Sequence, residues 1–409
     1  MFKTFLFSFC LFYLGSGNVR CTGGGISHPP NQSSPELLIT PGMNLTQINN
    51  VISQASFGDT VNIESGTYTI DGKINMVPGV TLNGISSTKP IFDATSQSDR
   101  LFEIVYETTN VSHCTFQNIA FYNIKMKFDP TTHYAIQNIV FDNCLFDYGK
   151  RAPGTDEKSS QNDGYIVYLY IKDSSIKNCT FLRREGNDGR GVYNKYTENN
   201  IIEYNNWGGS DPSVTGFFVT ALNERGTNTI IRNNTIVKHP TWAPLAHQDH
   251  GIYALDFNGV TITDNTISGW PANGSGGAVK ARNGQNLTIT NNTMETSGVL
   301  LYTYSTDKIQ QHLKNVVIKD NKINIWHNDG TAGIYLGIGY YTNANYQNEY
   351  SIRIEGNTIT NGYCVAKNNK INADGFSTSG GGFYNNTCSE IHIKLGMSHS
   401  DNNATIVEY

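Results

Sequence analysis

The chain has 409 residues, of which 15% are charged, and its formal net charge is −5 at pH 7. This near balance of charges argues against a nucleic-acid partner, which selects strongly basic surfaces, and provides no general attraction for an anionic polymer. Binding of a polyanion would therefore need a local basic patch. The 40 glycines and the many asparagines and threonines favour strands and turns over helices.

The first residues predict an export signal. A lysine near the N-terminus precedes the apolar run 5–14, which is too short to span a bilayer, and small residues suited to cleavage follow it. We expect a signal peptide at 1–17, a flexible Gly/Pro/Ser-rich segment at 18–40 and a single domain at 41–409. No later apolar run reaches the length of a membrane span, so the mature protein is predicted to be secreted, without a membrane partner.

A short amphipathic helix is predicted next, in LTQINNVISQAS at 45–56, and GDTVNIESGTYTI at 58–70 predicts the first strands. A helix in this place would cover the open edge of the first coil of a solenoid, which would otherwise invite edge-to-edge association.

A phrase of β-formers, an asparagine and a small or β-branched residue then recurs along the chain. It occurs at Asn118, Asn143, Asn178, Asn206, Asn234, Asn265, Asn292, Asn321 and Asn357. From Asn178 to Asn321 the intervals are 28, 28, 31, 27 and 29 residues. Such a period indicates stacked supersecondary units. The predicted fold is all-β, a right-handed parallel β-helix (solenoid) with a short N-terminal capping helix and coils from about 60 to 395.

The repeated asparagines predict a ladder at one corner of the coils. Stacked Asn side chains can hydrogen-bond to the neighbours above and below, which satisfies amides that are costly to bury. We expect Asn234, Asn265, Asn292 and Asn321 to form one inward ladder.

Two pairs of cysteines fit the same repeat. Cys144 and Cys179 occupy the same place in successive phrases, and Cys364 and Cys388 lie about one coil apart. Strands of adjacent coils are about 4.8 Å apart, which is close enough for a disulfide or a stacked thiol pair, and an oxidising compartment favours disulfides in both pairs. No cysteine spacing predicts zinc, and no metal site is predicted.

Many N-x-[ST] sequons support a eukaryotic export route. N-glycosylation is predicted at Asn31, Asn44, Asn110, Asn273, Asn286 and Asn403. The sequons at Asn178, Asn233, Asn291 and Asn385 lie in ladder phrases, which generate sequons by themselves, and are expected to be buried and unmodified.

Charged residues are rare in the strands that begin with glycine, and they cluster on consecutive coils. Lys280 and Arg282 alternate with Ala281 and so share one face of a strand. Tyr302 and Tyr304 lie one coil later, and His247, His250, Tyr253 and Asp256 lie one coil earlier. The predicted catalytic residues of this cluster are Lys280, Arg282, His250, Tyr302 and Tyr304, and the predicted substrate contacts are Tyr253, Asp256, His247, Trp242 and Trp270.

These residue types suit β-elimination on a uronate, which needs a cation for the carboxylate, a base for the C5 proton and an acid for the leaving oxygen. A C5 epimerase would use the same groups without expelling the leaving oxygen. Structural alternatives remain: the two cations could be a solvated face, the histidines could be hydrogen-bonded loop residues, and the tryptophans could pack under loops instead of stacking on sugars.

The chain resembles the secreted polysaccharide lyases of the chondroitinase B and alginate lyase type, which carry a phrase close to N-K-S-x-x-N. Residues 194–199, Asn-Lys-Tyr-Thr-Glu-Asn, match it most literally, and the resemblance implies that Lys195 is the base with Arg225 near the place of the acid. In a second register Arg282 takes the place of that lysine. The residues at the places of the family's calcium ligands do not support a calcium requirement, and no cofactor is expected.

A rival resemblance is to the polygalacturonase-like hydrolases, which are also β-helices. His250-Gly251 and Lys280-Ala281-Arg282 are similar to two of their motifs, the second in reverse order. The pair of carboxylates that glycoside hydrolysis needs is missing from the strands before His250.

The preferred hypothesis is a secreted carbohydrate-active protein, a lyase or C5 epimerase for a uronate-containing polysaccharide. The alternative is a non-catalytic, glycosylated extracellular protein with a structural, filament or polysaccharide-binding role, for which self-association is possible. Glycans over the surface that carries the charged cluster would favour the alternative.

Overall fold

The structure is a computed structural model that describes residues 36–97, 101–148, 164–183, 190–208, 219–237, 250–270, 277–303, 313–325, 332–337, 351–365, 380–393 and 395–409. Within it, Leu37–Tyr409 form one compact unit. No helix in these ranges is both long and apolar enough to cross a membrane. The predicted signal peptide, 1–17, lies outside the described residues.

The predicted capping helix is present as α1, Leu45–Ile52. Asn44 begins it with a capping box, in which its side chain accepts from the Gln47 N–H and the Gln47 side chain accepts from the Asn44 N–H. The apolar face is buried through Ile48 and Ile52. One 3₁₀ turn, Thr109–Val111, also lies in the described residues.

The rest of the regular structure is 35 strands. In the first third they are β1 Leu38–Ile39, β2 Thr60–Ile63, β3 Thr67–Thr69, β4 Thr81–Gly84, β5 Ile91–Asp93, β6 Phe102–Tyr106, β7 Thr115–Gln117, β8 Ala120–Tyr122, β9 Ile124–Phe128, β10 Val140–Asp142, β11 Leu145–Tyr148 and β12 Gly164–Leu169. The middle third holds β13 Ser175–Lys177, β14 Thr180–Arg183, β15 Arg190–Lys195, β16 Ile201–Glu203, β17 Asn206–Gly208, β18 Val219–Glu224, β19 Thr227–Arg232, β20 Thr235–Val237, β21 His250–Thr263, β22 Thr266–Ser268, β23 Gly277–Thr290 and β24 Thr293–Glu295. The last third holds β25 Val299–Tyr302, β26 Leu313–Lys319, β27 Lys322–Asn324, β28 Ala332–Gly337, β29 Ile352–Glu355, β30 Thr358–Thr360, β31 Tyr363–Val365, β32 Gly382–Tyr384, β33 Thr387–Ile393, β34 His399–Ser400 and β35 Asn403–Glu408.

All the pairings are parallel, and they connect each strand to the equivalent strand one coil later, which makes three faces. Face A holds β1, β2, β4, β7, β10, β13, β16, β19, the second halves of β21 and β23, β26, β29, β32 and β34. Face B holds β3, β5, β8, β11, β14, β17, β20, β22, β24, β27, β30 and the starts of β33 and β35. Face C holds β6, β9, β12, β15, β18, the first halves of β21 and β23, β25, β28, β31 and the ends of β33 and β35. The predicted parallel β-helix is confirmed.

The ends of the solenoid differ from the predicted ones. β1 pairs with β2 in register from Leu38, so the last residues of the predicted flexible segment 18–40 already belong to the first coil. At the other end β35 pairs with β33 as far as Glu408, beyond the predicted end near 395. The N-terminal coil lacks the repeated asparagine phrase that marks the others, whereas the C-terminal coil carries it at Asn402, where it was overlooked.

The core lies inside the coils and consists of stacks of like residues. On face B, Phe146 stacks on Phe181 with ring centroids 4.9 Å apart, and Phe181 stacks on Trp207 at 4.9 Å. On face A, Phe116 stacks on Phe141 at 4.8 Å. The spacing of the rings follows from the strand spacing, because each coil places the same position directly above the last.

The inward asparagine ladder is confirmed. The Asn234 amide donates to Asn265 Oδ1 at 2.9 Å, Asn265 donates to Asn292 Oδ1 at 3.0 Å and Asn292 donates to Asn321 Oδ1 at 2.9 Å. Each of these Oδ1 atoms also accepts from the backbone N–H of the preceding asparagine. The ladder, with its members all buried up to Asn386, runs through Asn205, Asn234, Asn265, Asn292, Asn321, Asn357, Asn386 and Asn402.

The register of the earlier phrases is corrected. Asn118, Asn143 and Asn178 lie one residue before the inward position, with φ of 57°, 51° and 55°. Asn206 lies one residue after it and is exposed on β17. A period-based alignment could not separate adjacent asparagines, since inward and corner positions are neighbours in the chain.

The cysteines continue the ladder in place of asparagine. Cys179 N–H donates to Asn205 Oδ1 at 2.8 Å, and Cys144 N–H donates to Cys179 Sγ at 3.4 Å, so the predicted adjacency of Cys144 and Cys179 is confirmed. The predicted disulfides are absent from the described residues, where both pairs are buried free thiols. The Sγ atoms of Cys364 and Cys388 are 4.0 Å apart. The Cys179 sulfur accepts the backbone N–H of Cys144 on the preceding coil, as the oxygen of a ladder asparagine does.

Native Cys144 and Cys179 are therefore expected to resist alkylation. Burial raises the pKa of the Cys179 thiol well above its usual range, so little thiolate forms near neutral pH. Mass spectrometry after iodoacetamide treatment should find both residues unlabelled in the folded protein and labelled once it is denatured. A Cys144–Cys179 cross-linked peptide in a non-reduced digest would contradict the thiol state.

Candidate functional site

The outer side of face C carries the predicted cluster, in two parallel rows. The first row runs through positions Tyr193, Leu222, Tyr253, Lys280, Leu300 and Tyr335 on successive coils. The second row runs through Lys195, Glu224, Leu255, Arg282 and Tyr302. Strand alternation points both rows away from the core, while Ala254, Ala281 and Leu301, which lie between them, point inward.

Side chains on this outer side are sheltered, which distinguishes face C from face B. Val167, Leu169 and Tyr193 form a hydrophobic cluster separate from the main core, with Tyr253 packed against it. By contrast, Thr293 on the outer side of face B is exposed. Charges in a sheltered environment interact more strongly than in open water. Charged groups on face C are therefore better placed for catalysis than those on face B.

Lys280 lies between two tyrosines of the neighbouring coils. Its Nζ is 5.4 Å from the centre of the Tyr253 ring and 5.3 Å from the centre of the Tyr302 ring. The ring faces attract and orient the ammonium group without carrying a formal charge. The register Tyr253–Lys280 and Arg282–Tyr302 makes this arrangement a direct result of strand pairing.

Arg282 and His250 complete this group around Tyr253. Arg282 Nη1 donates to the Tyr253 hydroxyl at 3.5 Å. The His250 ring lies edge-on to the Tyr253 ring, with centroids 4.8 Å apart, and His250 is fully buried. The structure thus brings the predicted residues Lys280, Arg282, His250 and Tyr302 together, but it places His250 behind Tyr253 and away from the surface. These residues with Tyr253 are called the Lys280 group below.

A second group surrounds Lys195, two to three coils earlier on the same face. Lys195 Nζ is 3.6 Å from Glu224 Oε1, and the Tyr193 hydroxyl donates to Glu224 Oε2 at 2.7 Å. The Lys195 Nζ also lies 5.8 Å from the centre of the Tyr196 ring. Lys195 therefore already forms an ion pair with Glu224, whose carboxylate is oriented by the hydrogen bond from Tyr193.

Arg225 approaches the same Tyr196 ring from the next coil. The guanidinium carbon lies 5.1 Å from the ring centre, and Nη1 donates to the Tyr196 hydroxyl. Arg225 Nε is 3.3 Å from Asp256 Oδ2. Asp256 is only 3% exposed. It pairs with Arg225 and is not open to the surface, as the predicted substrate contact would need to be. Lys195, Tyr196, Glu224 and Arg225 are called the Lys195 group below.

Both registers suggested by the sequence therefore lie on one surface. Lys195 and Arg282 share a row and are separated by three strand spacings, or about 14 Å. The sequence left these registers as competing alternatives, whereas the fold places both on a single strip of face C that contains cations and tyrosines.

The tryptophans that the structure describes do not form a sugar platform. Trp207 and Trp270 are each 1% exposed and belong to the core. The prediction of Trp270 as a substrate contact is wrong, because it follows β22 at a turn where the side chain points inward. Its position a few residues after a ladder asparagine marks a corner of the core.

Three predicted site residues lie outside the described residues: Tyr304, His247 and Trp242. The predicted glycosylation sites Asn31 and Asn273 also lie outside them. Across the described ranges, no three His, Cys, Asp or Glu side chains lie close enough together to hold a metal ion.

Sequence reasoning missed Tyr193, Tyr196 and Glu224. In the structure Tyr196, Arg225, Asp256 and Asn283 each have positive φ and form one corner column that leads from face C to face A. Each lies three residues before the next corner column, which includes Asn199, Asn228, Gly259 and Asn286. Aligning the coils on this second column would have placed Arg225 next to Tyr196.

The sequence matches no protein-family model, and no curated protein matches it in sequence. The fold is similar to that of PfbA, a surface adhesin of Streptococcus pneumoniae, with a TM-score of 0.56 and 11% identity over 89% of this chain and 85% of that chain. It is also similar to the alginate lyase AlyF-OU02 in complex with G6, with a TM-score of 0.51 and 14% identity over 92% of this chain and 86% of that chain. At these identities the similarity shows the parallel β-helix fold, and at that level the expected resemblance to alginate lyases is confirmed.

Proposed function

We propose that this protein binds a uronate-containing polysaccharide along the outer side of face C and acts on it as a lyase or C5 epimerase. The observation that carries the proposal is the strip of Lys195, Arg225, Lys280 and Arg282 interleaved with tyrosines on consecutive coils. Cations that recur on one face within four consecutive coils suit a ligand with repeated carboxylates, and aromatic side chains suit its sugar rings. Because the chain has a net charge of −5, attraction of an anionic polysaccharide would depend on this local patch of cations.

The Lys280 group is the proposed reaction centre. Lys280 and Arg282 neutralise the uronate carboxylate, which makes the C5 proton more acidic. One tyrosine, Tyr302 or Tyr253, removes that proton as a phenolate, the electron pair forms the C4–C5 double bond as the C4–O bond breaks, and the leaving oxygen takes a proton from the hydroxyl of the other tyrosine. In an epimerase the C4–O bond stays intact, and a proton from the second tyrosine or from solvent reaches the opposite side of C5.

His250 and the Lys195 group have supporting roles in this proposal. The buried His250 ring packs on Tyr253 and holds the phenol in place. Lys195 would have to leave Glu224, 3.6 Å away, before it could approach a substrate as a base. The Lys195 group is therefore assigned to binding, and the base role implied by the family resemblance is the alternative to be tested.

Incubation with alginate, chondroitin and pectin tests the function, with a neutral polysaccharide as the matched control. A lyase produces the ultraviolet absorbance of an unsaturated uronate, and an epimerase exchanges the C5 hydrogen for solvent deuterium without cleavage. We expect one of these signals with a uronate polymer and neither with the neutral control. Absence of binding and of both signals with all three polymers would reject the proposal.

A second candidate function, non-catalytic saccharide binding, is favoured by the ion pairs of the strip. Lys195 pairs with Glu224 and Arg225 pairs with Asp256, which is what a rigid, structural charge ladder requires. This candidate predicts retention of the protein on a uronate polymer with no C5 exchange and no unsaturated product.

A further inference from the structure

The corner between faces A and B carries a column of outward-pointing residues in the left-handed conformation. It includes Asn233, Asp264, Asn291 and Asn385, with φ of 54°, 57°, 56° and 54°. In each case the next residue is an inward ladder asparagine, and the one after that is a threonine on the outer side of face B. Asparagine is well suited to this conformation, which most other side chains avoid.

Three of these corner residues begin an N-N-T phrase, at Asn233, Asn291 and Asn385. Their place in the repeat predicted side chains buried in the ladder, and that prediction is wrong. The buried amides belong to the following residues, Asn234, Asn292 and Asn386, while Asn291 and Asn385 are exposed and Asn233 is half-buried. The threonines of the three phrases are exposed as well.

The corner asparagines are held by their backbones, which leaves the side chains accessible. Each donates its backbone N–H to the next coil, to Thr263 O, Lys319 O and Ser400 O. Among the described residues their side-chain amides make no hydrogen bond. The neighbouring sequon at Asn178 differs, because its amide donates to Asp142 Oδ1 at 2.8 Å.

We propose that Asn233, Asn291 and Asn385 are N-glycosylation sites that form one column of glycans on the A–B corner. The modification requires a eukaryotic export route, for which the N-terminal sequence predicts the export signal, with a lipid diphosphate-linked oligosaccharide as donor. The Nδ2 atom loses a proton and forms a bond to C1 of the first sugar, and the bond from C1 to the lipid diphosphate breaks, with the diphosphate as leaving group. The fold accommodates the product because Asn291 and Asn385 are exposed and Asn233 is only half-buried.

The column has a consequence for the rest of the surface. The acceptors are two and three coils apart, about 10 and 14 Å, so that glycans on them would line one edge of the solenoid. This corner joins faces A and B, and face C lies on the other side of the coil. Glycans here would leave the strip of cations and tyrosines open, and this inference stands whether or not the strip is catalytic.

Site mapping on the full chain, secreted from a eukaryotic host, tests the proposal. Release of glycans by an amide-cleaving glycosidase in ¹⁸O-water converts each occupied Asn to a labelled Asp, and we expect this label at Asn233, Asn291 and Asn385. Thr293→Val should remove the label at Asn291, whereas Thr293→Ser should keep it, because serine preserves the sequon. Position 293 is an exposed strand position, so neither change should affect folding.

A gain-of-site variant tests the geometric part of the argument. Asp264 occupies the same corner, is exposed and is followed by Asn265 and Thr266. Asp264→Asn completes the phrase and should add one glycan, seen as one additional step in gel mobility that glycosidase treatment removes. Unlabelled Asn233, Asn291 and Asn385 in the secreted protein, or no added glycan in the Asp264 variant, would overturn the proposal.

Discussion

Lys280→Ala is expected to lower turnover on a uronate polymer by about 100-fold, the effect of losing one preorganised charge-stabilising group. The Lys280 ammonium lies between the Tyr253 and Tyr302 rings at 5.4 and 5.3 Å, which fixes its position before substrate binds. Arg282→Ala should have an effect of the same order, since Arg282 shares the strand and contacts Tyr253. Initial rates of unsaturated-product formation or of C5 exchange provide the measurement.

Two further lysines make the comparison specific. Lys322→Ala is the matched control, because Lys322 is an exposed strand lysine on face B, and its loss should leave turnover unchanged. Lys195→Ala should weaken binding more than turnover if the Lys195 group only binds. The opposite result, with Lys195 essential and Lys280 dispensable, would move the reaction centre to the Lys195 group, and full activity in both variants would reject both centres.

Asn292→Leu is expected to lower the free energy of unfolding by about 1–3 kcal/mol for each polar group left unsatisfied. Asn292 Oδ1 accepts from the backbone N–H and the side chain of Asn265, and its amide donates to Ile262 O at 2.9 Å and to Asn321 Oδ1 at 2.9 Å. Leucine has a similar volume but no polar atoms, so the Asn265 backbone N–H would be buried without its acceptor, whereas Asn321 Oδ1 would still accept from the backbone N–H of residue 292. Urea denaturation of both proteins measures the difference.

Asn206→Leu is the control for this experiment. Asn206 belongs to a repeat phrase as Asn292 does, but it is exposed on β17 and is not part of the ladder. Its replacement should change the free energy of unfolding by no more than about 0.5 kcal/mol. Equal losses in the two variants would contradict the inward ladder as the source of stability.

The candidate site was predictable in its residue types and only partly in its partners. Strand alternation around Ala281 is a local property, so the sequence alone places Lys280 and Arg282 on one side of a strand. The tyrosines that hold Lys280 belong to other coils, and their register depends on coil lengths that vary along the chain. For this reason Glu224 was missed as the partner of Lys195, and Asp256 was taken for a surface residue although it is buried against Arg225.

By itself the sequence determined the parallel β-helix, the capping helix and the asparagine ladder of this protein, because each follows from a repeated local pattern. Only the tertiary structure decided which asparagine of each N-N-T phrase is buried and that the Lys195 and Lys280 groups share one face. At a corner, one residue such as Asn291 has the left-handed conformation, so that its side chain points outward while that of the next residue points inward. Alignment between coils depends on how parallel strands pair, and a period in the sequence leaves that pairing uncertain by one residue.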